Sequence, residues 1–208
     1  MKAFEQFEAE LQRITPYRIR YKDEAWEMQL LYLLVFWFCP DFLTRFTTVV
    51  GKTIYFPTRQ YLEHYPQVAI RTLAHEAVHL LDQQRWGRGI FILSYLFPQI
   101  FSLGIFLFPF IGPFALLFLL FLAPWPAPFR AHFEARAYAM DYLTSEPRLR
   151  PATLEGIVKR FSNSDYYRMF PFPDQVKASV MHWVHLAESG KDPELLKVLL
   201  IYEMATEV

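Results

Sequence analysis

The sequence predicts a mainly helical protein of α+β class with one small antiparallel sheet, and three observations carry that prediction. Apolar residues recur at helical spacing along most of the chain, whereas the window Phe46 to Phe56 is rich in threonine, valine and isoleucine. Glycine and proline breaks separate these segments without any long polar linker between them. A length of 208 residues makes one domain (1–208), large enough to bury a core without disulfides.

The elements follow in order. Phe4, Phe7, Leu11 and Ile14 share one helical face, and Pro16 ends that helix. After a polar break at Tyr21 to Glu24, Trp26 to Cys39 is wholly apolar from Leu30 onward and stops at Pro40. Its ten uninterrupted apolar residues are too few for a bilayer core of about 30 Å, so a buried helix is expected. Phe46 to Phe56 predicts two short strands around Gly51 and Lys52. A helix then runs from Pro66 through Ile70, Leu73, Ala74, Val78 and Leu81 to Trp86, stopped by Gly87 and Gly89.

No charged residue occurs from Gly89 to Phe129, while Arg85, Arg88 and Arg130 flank the stretch. The corner Pro109 to Pro113 divides residues 90–123 into two apolar arms. As α-helix each arm measures about 25 Å at roughly 1.5 Å per residue, barely short of a bilayer core of about 30 Å. Two readings are open for this hairpin, an insertion at 89–129: a shallow membrane anchor with both ends on the basic side, or a dry hairpin packed on protein or on another subunit. Beyond it, Arg130 to Leu143, Pro151 to Phe161, Asp174 to Glu188 and Asp192 to Ala205 carry helical spacing, the last opened by an Asp192 cap and Pro193.

Composition excludes some functions. Twenty-one basic and twenty-one acidic residues cancel, which leaves no electrostatic footprint for a nucleic-acid partner. The single cysteine, Cys39, is expected to be an inert buried thiol, so any metal must use nitrogen and oxygen ligands. Met1 and Lys2 are followed by Glu5, Glu8 and Glu10, so no cleaved signal peptide is expected. Twenty-one phenylalanines, twelve tyrosines and five tryptophans require deep burial or lipid contact.

The chemistry concentrates in "LAHEAVHLLDQQ". His75 and His79 stand at i and i+4, one turn apart on one face, where both imidazoles reach a common ion. Glu76 projects toward the same cleft but off the metal, which suits a general base. Two core histidines bonded to carbonyls are the bland alternative. Asp82 lies about 10.5 Å along the helix from His75 at roughly 1.5 Å per residue, too far to share the ion, and is expected to pair with Arg85. The third ligand must come from another helix. Glu134, in the alanine-rich "HFEARAYAMD", is the first candidate and His132 the second. Tyr138, one turn past Glu134, is either an oxyanion donor or a core tyrosine. His182 and His185 lack a nearby carboxylate and are expected to be structural. Glu63 and His64 either line the cleft mouth or form a solvated turn, and the loop Ser162 to Pro173 either covers the cleft and binds substrate or packs on the hairpin.

With these residues the chain resembles the zincin metalloproteases, specifically the gluzincin branch, in which an HExxH helix gives two ligands and a downstream helix gives a glutamate. The resemblance implies Zn²⁺ held by His75, His79 and Glu134, with Glu76 as base, in a zincin-like core of small sheet, HExxH helix and Glu-bearing helix. It covers residues 50–145. The order of parts is similar to that of membrane-embedded metalloproteases, where an apolar hairpin separates the two motifs. That likeness implies an edge strand near Thr53 to Phe56 that pairs with extended substrate. In those families an aspartate soon after the glutamate braces a ligand histidine; here Arg136 and Tyr138 follow, with Asp141 further on. The expected function is a membrane-associated zinc metallopeptidase acting on protein or peptide from the cytoplasmic side. Its rivals are a structural or assembly protein with a closed or empty metal site, and a peptidase fold serving as a membrane adaptor.

Overall fold

The computed structural model describes residues 2–36, 40–123, 125–163 and 169–207. It is mainly helical with one three-stranded sheet. In chain order come α1 (Lys2–Ile14), β1 (Arg18–Tyr21), α2 (Trp26–Val35), β2 (Thr48–Val50), β3 (Thr53–Phe56), α3 (Arg59–His64) and α4 (Pro66–Trp86). Next are α5 (Arg88–Leu96), a 3₁₀ arm (Gln99–Leu107), α6 (Phe108–Ile111), a second 3₁₀ arm (Gly112–Leu122) and α7 (Pro128–Leu143). A 3₁₀ turn (Pro147–Leu149), α8 (Arg150–Ser162), α9 (Pro173–Glu188) and α10 (Pro193–Thr206) complete the chain.

The organising element is α4. From Leu73 to Asp82 nine of ten residues are buried, so this helix is enclosed on nearly all sides rather than along one stripe. Its neighbours are α1, α7 and α10. The apolar face expected of α1 does the packing, with Phe4, Phe7 and Leu11 buried. Pro66 opens α4 at its first turn, and Gly87 closes it with φ 79, a conformation that costs a Cβ-bearing residue about 1 kcal/mol or more. On α7, Ala131, Ala135, Ala137 and Ala139 are all buried, and these short side chains let its backbone approach α4 closely. Asp192 caps α10 by accepting from the Leu195 N–H at 3.1 Å.

The expected hairpin of strands forms, with Thr48, Val49 and Val50 opposite Tyr55, Ile54 and Thr53 around the Gly51-Lys52 turn. The strand β1 was outside the sequence expectation. It pairs parallel to β3, giving the order β1-β3-β2. This corrects the edge assignment: Thr53–Phe56 is the central strand, because its second edge is taken by β1, and the edge strands are β1 and β2, of which β2 borders the cleft with His75 and Glu76. Lys22, from the supposed polar break, is fully buried and donates to the Phe42 carbonyl at 2.7 Å.

A second correction concerns α2. It ends at Val35, and it lies at the surface rather than in the core, with Trp26 71%, Leu30 53% and Leu33 63% exposed. Among its residues whose burial is described, only Met28 is buried, against the small cluster of Ala25 and Tyr55. Cys39 lies outside the described residues.

The apolar insertion is not two arms of equal length starting at residue 90. Its first part, α5, packs on α4 and α7 as a separate helix. Gln99–Leu122 spans 24 residues and holds an 18-residue window of mean hydropathy 2.6, long and apolar enough by composition to cross a membrane. The fold instead doubles it back near Gly112. At about 2.0 Å per residue the arms reach roughly 18 and 22 Å, short of a hydrocarbon core of about 30 Å. The arms face each other through Phe101 and Phe121, whose ring centroids are 5.2 Å apart. A Cβ on Gly104 would stand 2.3 Å from the Phe118 ring, so that glycine allows the arms to close. Of the arm residues only Ala115 is buried.

Candidate metal centre

Three elements build the site. His75 and His79 project from one face of α4, Glu134 comes from α7, and α5 closes the third side. The Glu134 carboxylate lies between the imidazoles: Oε2 is 3.7 Å from His75 Nε2, and Oε1 is 3.6 Å from His79 Nε2. One ligand atom from each residue falls within 4.8 Å of the others, the one such group among the described residues with His, Cys, Asp or Glu able to surround a cation.

The residues fit a metal ion on two counts. Separations near 3.7 Å are too long for hydrogen bonds. Two ligands of a tetrahedral ion at about 2.1 Å would stand roughly 3.4 Å apart, close to these two carboxylate–imidazole separations. In addition, Glu134 Oε2 is buried with no hydrogen-bond partner among the described residues. A carboxylate oxygen so placed costs about 1–3 kcal/mol or more unless something positive meets it.

The electrostatics point the same way. Burial alone would raise the Glu134 pKa, but His75, His79 and the Tyr95 hydroxyl outweigh it and hold the carboxyl at about 2. Burial pushes His75 down, yet Asp141 and then Glu134 reverse this and hold it well above the ordinary imidazole range. His79 stays below that range because burial dominates. Glu76 is pushed up to about 7, chiefly by burial, with the His75 charge opposing and Glu134 and Asp141 adding. Its 8% exposure leaves it facing the cleft without bulk solvation.

Asp141, further along α7 than the aspartate of the families the chain resembles, lies against His75. Its Oδ1 lies 3.3 Å from His75 Nδ1, which turns Nε2 toward Glu134. Seven residues past Glu134 is two helical turns, so both carboxylates share a face of α7. The same geometry corrects the expectation for Asp82. Arg85 is exposed, and Asp82 instead accepts from Arg136 Nη1 at 2.6 Å inside the protein. The Arg136 guanidinium also donates to Asp192 at 2.9 and 3.0 Å and to Glu194 at 2.8 Å. Arg136 therefore binds α7 to α4 and α10 instead of pairing with Glu134.

The other candidates separate clearly. Tyr138 is 2% exposed and meets His75 edge-on at 4.8 Å between ring centroids, which places it in the wall of the site. His132 is exposed on the opposite side of α7 and packs against Trp183 at 5.3 Å, so it is not part of the cluster. His182 and His185 are exposed on α9. Glu63 and His64 belong to the short helix α3, with His64 Nδ1 2.8 Å from the Gln60 carbonyl. The middle of the loop Ser162 to Pro173, residues 164–168, lies outside the described residues.

Sequence reasoning missed Tyr95. Its hydroxyl donates to Glu134 Oε1, and Arg130 Nε donates to its carbonyl at 2.9 Å. The available signal was a single phenol within the apolar stretch from Gly89 to Phe129. The strand β2 was expected, but not its place at the site: its residues line the cleft beside His75 and Glu76.

Two cavities meet at the centre, and both are walled by His75 and Glu76. One, of about 420 Å³, is mostly apolar, with Leu31, Val49, Phe91, Ile92 and Leu96. The other, of about 340 Å³, is polar and holds Arg45, Arg71, Arg160 and Asp141. Compared with known protein families, with curated proteins and with solved structures, the chain matches none of them.

Proposed function

We propose that the protein is a zinc-dependent peptidase of zincin type working at a membrane surface, with His75, His79 and Glu134 holding the ion. The observation that carries this reading is the convergence of two imidazole nitrogens and a carboxylate within 4.8 Å, with a separate buried carboxylate, Glu76, next to them. The ligand group has three members, and Asp141 is engaged with His75 Nδ1. A tetrahedral ion on three protein ligands keeps one vertex free, the arrangement of a catalytic rather than a closed structural site.

Bound Zn²⁺ supplies Lewis acidity and lowers the pKa of water toward neutrality. Glu76, with its pKa raised to about 7, takes the proton of the attacking water and returns it to the leaving amide nitrogen. Asp141 keeps His75 in the ligating tautomer, and Tyr95 fixes one oxygen of Glu134. Thr48–Val50, the edge strand beside the cleft, offers its edge for an extended substrate to add as a further strand.

Membrane association rests on the hairpin. Phe106, Phe110 and Phe114 are 75%, 83% and 74% exposed. Trp86 and Trp125 stand exposed near its base, and Arg85, Arg88 and Arg130 flank the uncharged stretch. That order of apolar tip, aromatic belt and basic flank matches one leaflet, with the site on the cytoplasmic side. Glu76→Gln is expected to keep stoichiometric zinc and to lower turnover of an unfolded protein substrate by at least a thousandfold; His79→Ala is expected to lose both. Zinc binding by neither form of the protein would overturn the assignment, and a fourth protein ligand in a zinc-loaded structure would favour a structural site.

A further inference from the structure

We propose that α2 is a second lipid contact beside the hairpin, so that the two straddle the apolar cavity and hold it against one leaflet. The proposal rests on the membrane part of the reading above and adds which further surface meets lipid.

Trp26, Leu30 and Leu33 stand at i, i+4 and i+7, a single stripe along α2, and all three are exposed. The polar groups beside the stripe are bonded within the protein. Glu27 Oε1 accepts from the Tyr55 hydroxyl at 2.8 Å and pairs with Arg20, and the Gln29 amide donates to the Asp23 carbonyl at 3.1 Å. Polarity is graded along the chain: Asp23 and Glu24 are exposed just before the helix, Trp26 opens it, and no charged residue occurs from Met28 to Pro40. A tryptophan between a charged turn and an apolar run is the arrangement of a membrane–water boundary.

The place of α2 ties it to the hairpin. Leu31 of α2 lines the apolar cavity, and so do Phe91, Ile92 and Leu96 of α5. Ile92 and Leu96 are also exposed, so this wall of the cavity reaches the surface. Only Phe97 and Pro98 separate α5 from the first arm. The sheet joins the two sides: α2 packs on it through Met28 and Tyr55, and its Gly51 turn lies against Arg88, whose guanidinium would stand 2.1 Å from a Cβ at residue 51.

A protein partner fits this stripe less well than lipid. At roughly 200 Å² for a large side chain, three residues offer less than about 600 Å², below the about 800 Å² that each partner buries in a stable interface. A leaflet needs no matched surface, and a short apolar face adds affinity to an anchor that already holds the protein there.

The test uses the full chain with phosphatidylcholine vesicles, either plain or brominated in the acyl chains, where bromine quenches tryptophan on contact. The emission of Trp26 is the difference between the unsubstituted protein and Trp26→Phe. For an interfacial helix seated about 5–10 Å into the headgroup and acyl boundary, that difference is expected to fall about twofold or more in brominated vesicles. Leu30→Ser/Leu33→Ser is expected to weaken vesicle partitioning about ten- to a hundredfold with circular dichroism unchanged. Flotation of the unsubstituted protein with Trp26 emission equal in both vesicles, or unchanged partitioning of the serine variant, would overturn the proposal and leave the hairpin anchor standing. Equal emission together with a dimer that the serine variant loses would assign the stripe to a second copy instead. Failure of the unsubstituted protein to float with either vesicle would remove the membrane reading itself, and this proposal with it.

Discussion

Tyr95 and Asp141 hold the proposed ligands, and neither is one itself. Each fixes an otherwise rotatable group: the phenol one oxygen of Glu134, the carboxylate the ring of His75. Removing such a partner typically lowers metal affinity about 10–100-fold. Tyr95→Phe and Asp141→Asn should each do so in a chelator competition, with the fold preserved by circular dichroism; unchanged zinc affinity would show that these contacts do not orient the ligands. The pH dependence has a definite sign. His75 has its pKa raised, so zinc must displace a proton from it below that pKa, and affinity should fall about tenfold per pH unit there. Glu134, at about 2, stays ionised and adds no slope near neutrality. Zinc titrations at several pH values check this, and an affinity that fell with rising pH through neutrality would contradict it. At this scale helical spacing and residue type singled out His75, Glu76 and His79, whereas Glu134 was preferred to His132 on its alanine-rich helix and the resemblance; the fold brings His75, His79 and Glu134 together. Asp141 was visible but undervalued, since only its position two turns from Glu134 shows that it faces His75. Tyr95 was hidden, because nothing local says that α5 folds back over the HExxH helix.

Among the elements, α5 and the arms divide a stretch that composition treats as one. Replacing Gln99–Leu122 by a short polar turn should abolish flotation with liposomes while leaving zinc content intact. A replacement beginning at Arg88 should lose zinc affinity as well, because Tyr95 goes with it. Retained flotation after the shorter replacement would mean that the exposed apolar face of α2, with Trp26, Leu30 and Leu33, suffices for attachment. The helix α1 was legible because burial acts on one repeating face, and α4, buried nearly all round, was legible from its apolar content between a Pro66 start and a Gly87 stop. The helix α2 was misjudged because an apolar run says that water is avoided and does not say whether protein or lipid replaces it. The edge strand was misplaced for a related reason: β1, with the pattern Arg18-Ile19-Arg20-Tyr21, has too few apolar residues to announce itself, and its pairing with β3 makes Thr53–Phe56 central.

In the molecule as a whole, the buried guanidinium of Arg136 joins α4, α7 and the start of α10 through Asp82, Asp192 and Glu194. Removing one member of a buried charge network leaves the others uncompensated and costs about 3–5 kcal/mol. Arg136→Ala should therefore lower the Tm by roughly 10 °C or more in thermal denaturation. A shift of only a degree or two would mean that the carboxylates reach water without it. The network also limits the site, since Arg136 lies two residues from Glu134 and Asp82 three from His79. Finally, the contact between Tyr95 and Glu134 determines depth. The first arm begins at Gln99, four residues after Tyr95, and four residues span at most about 14 Å. With that arm seated in lipid, the chemistry would take place among the headgroups. A protein anchored in the same leaflet would then need no more than about four extended residues outside the bilayer for its backbone to be reached.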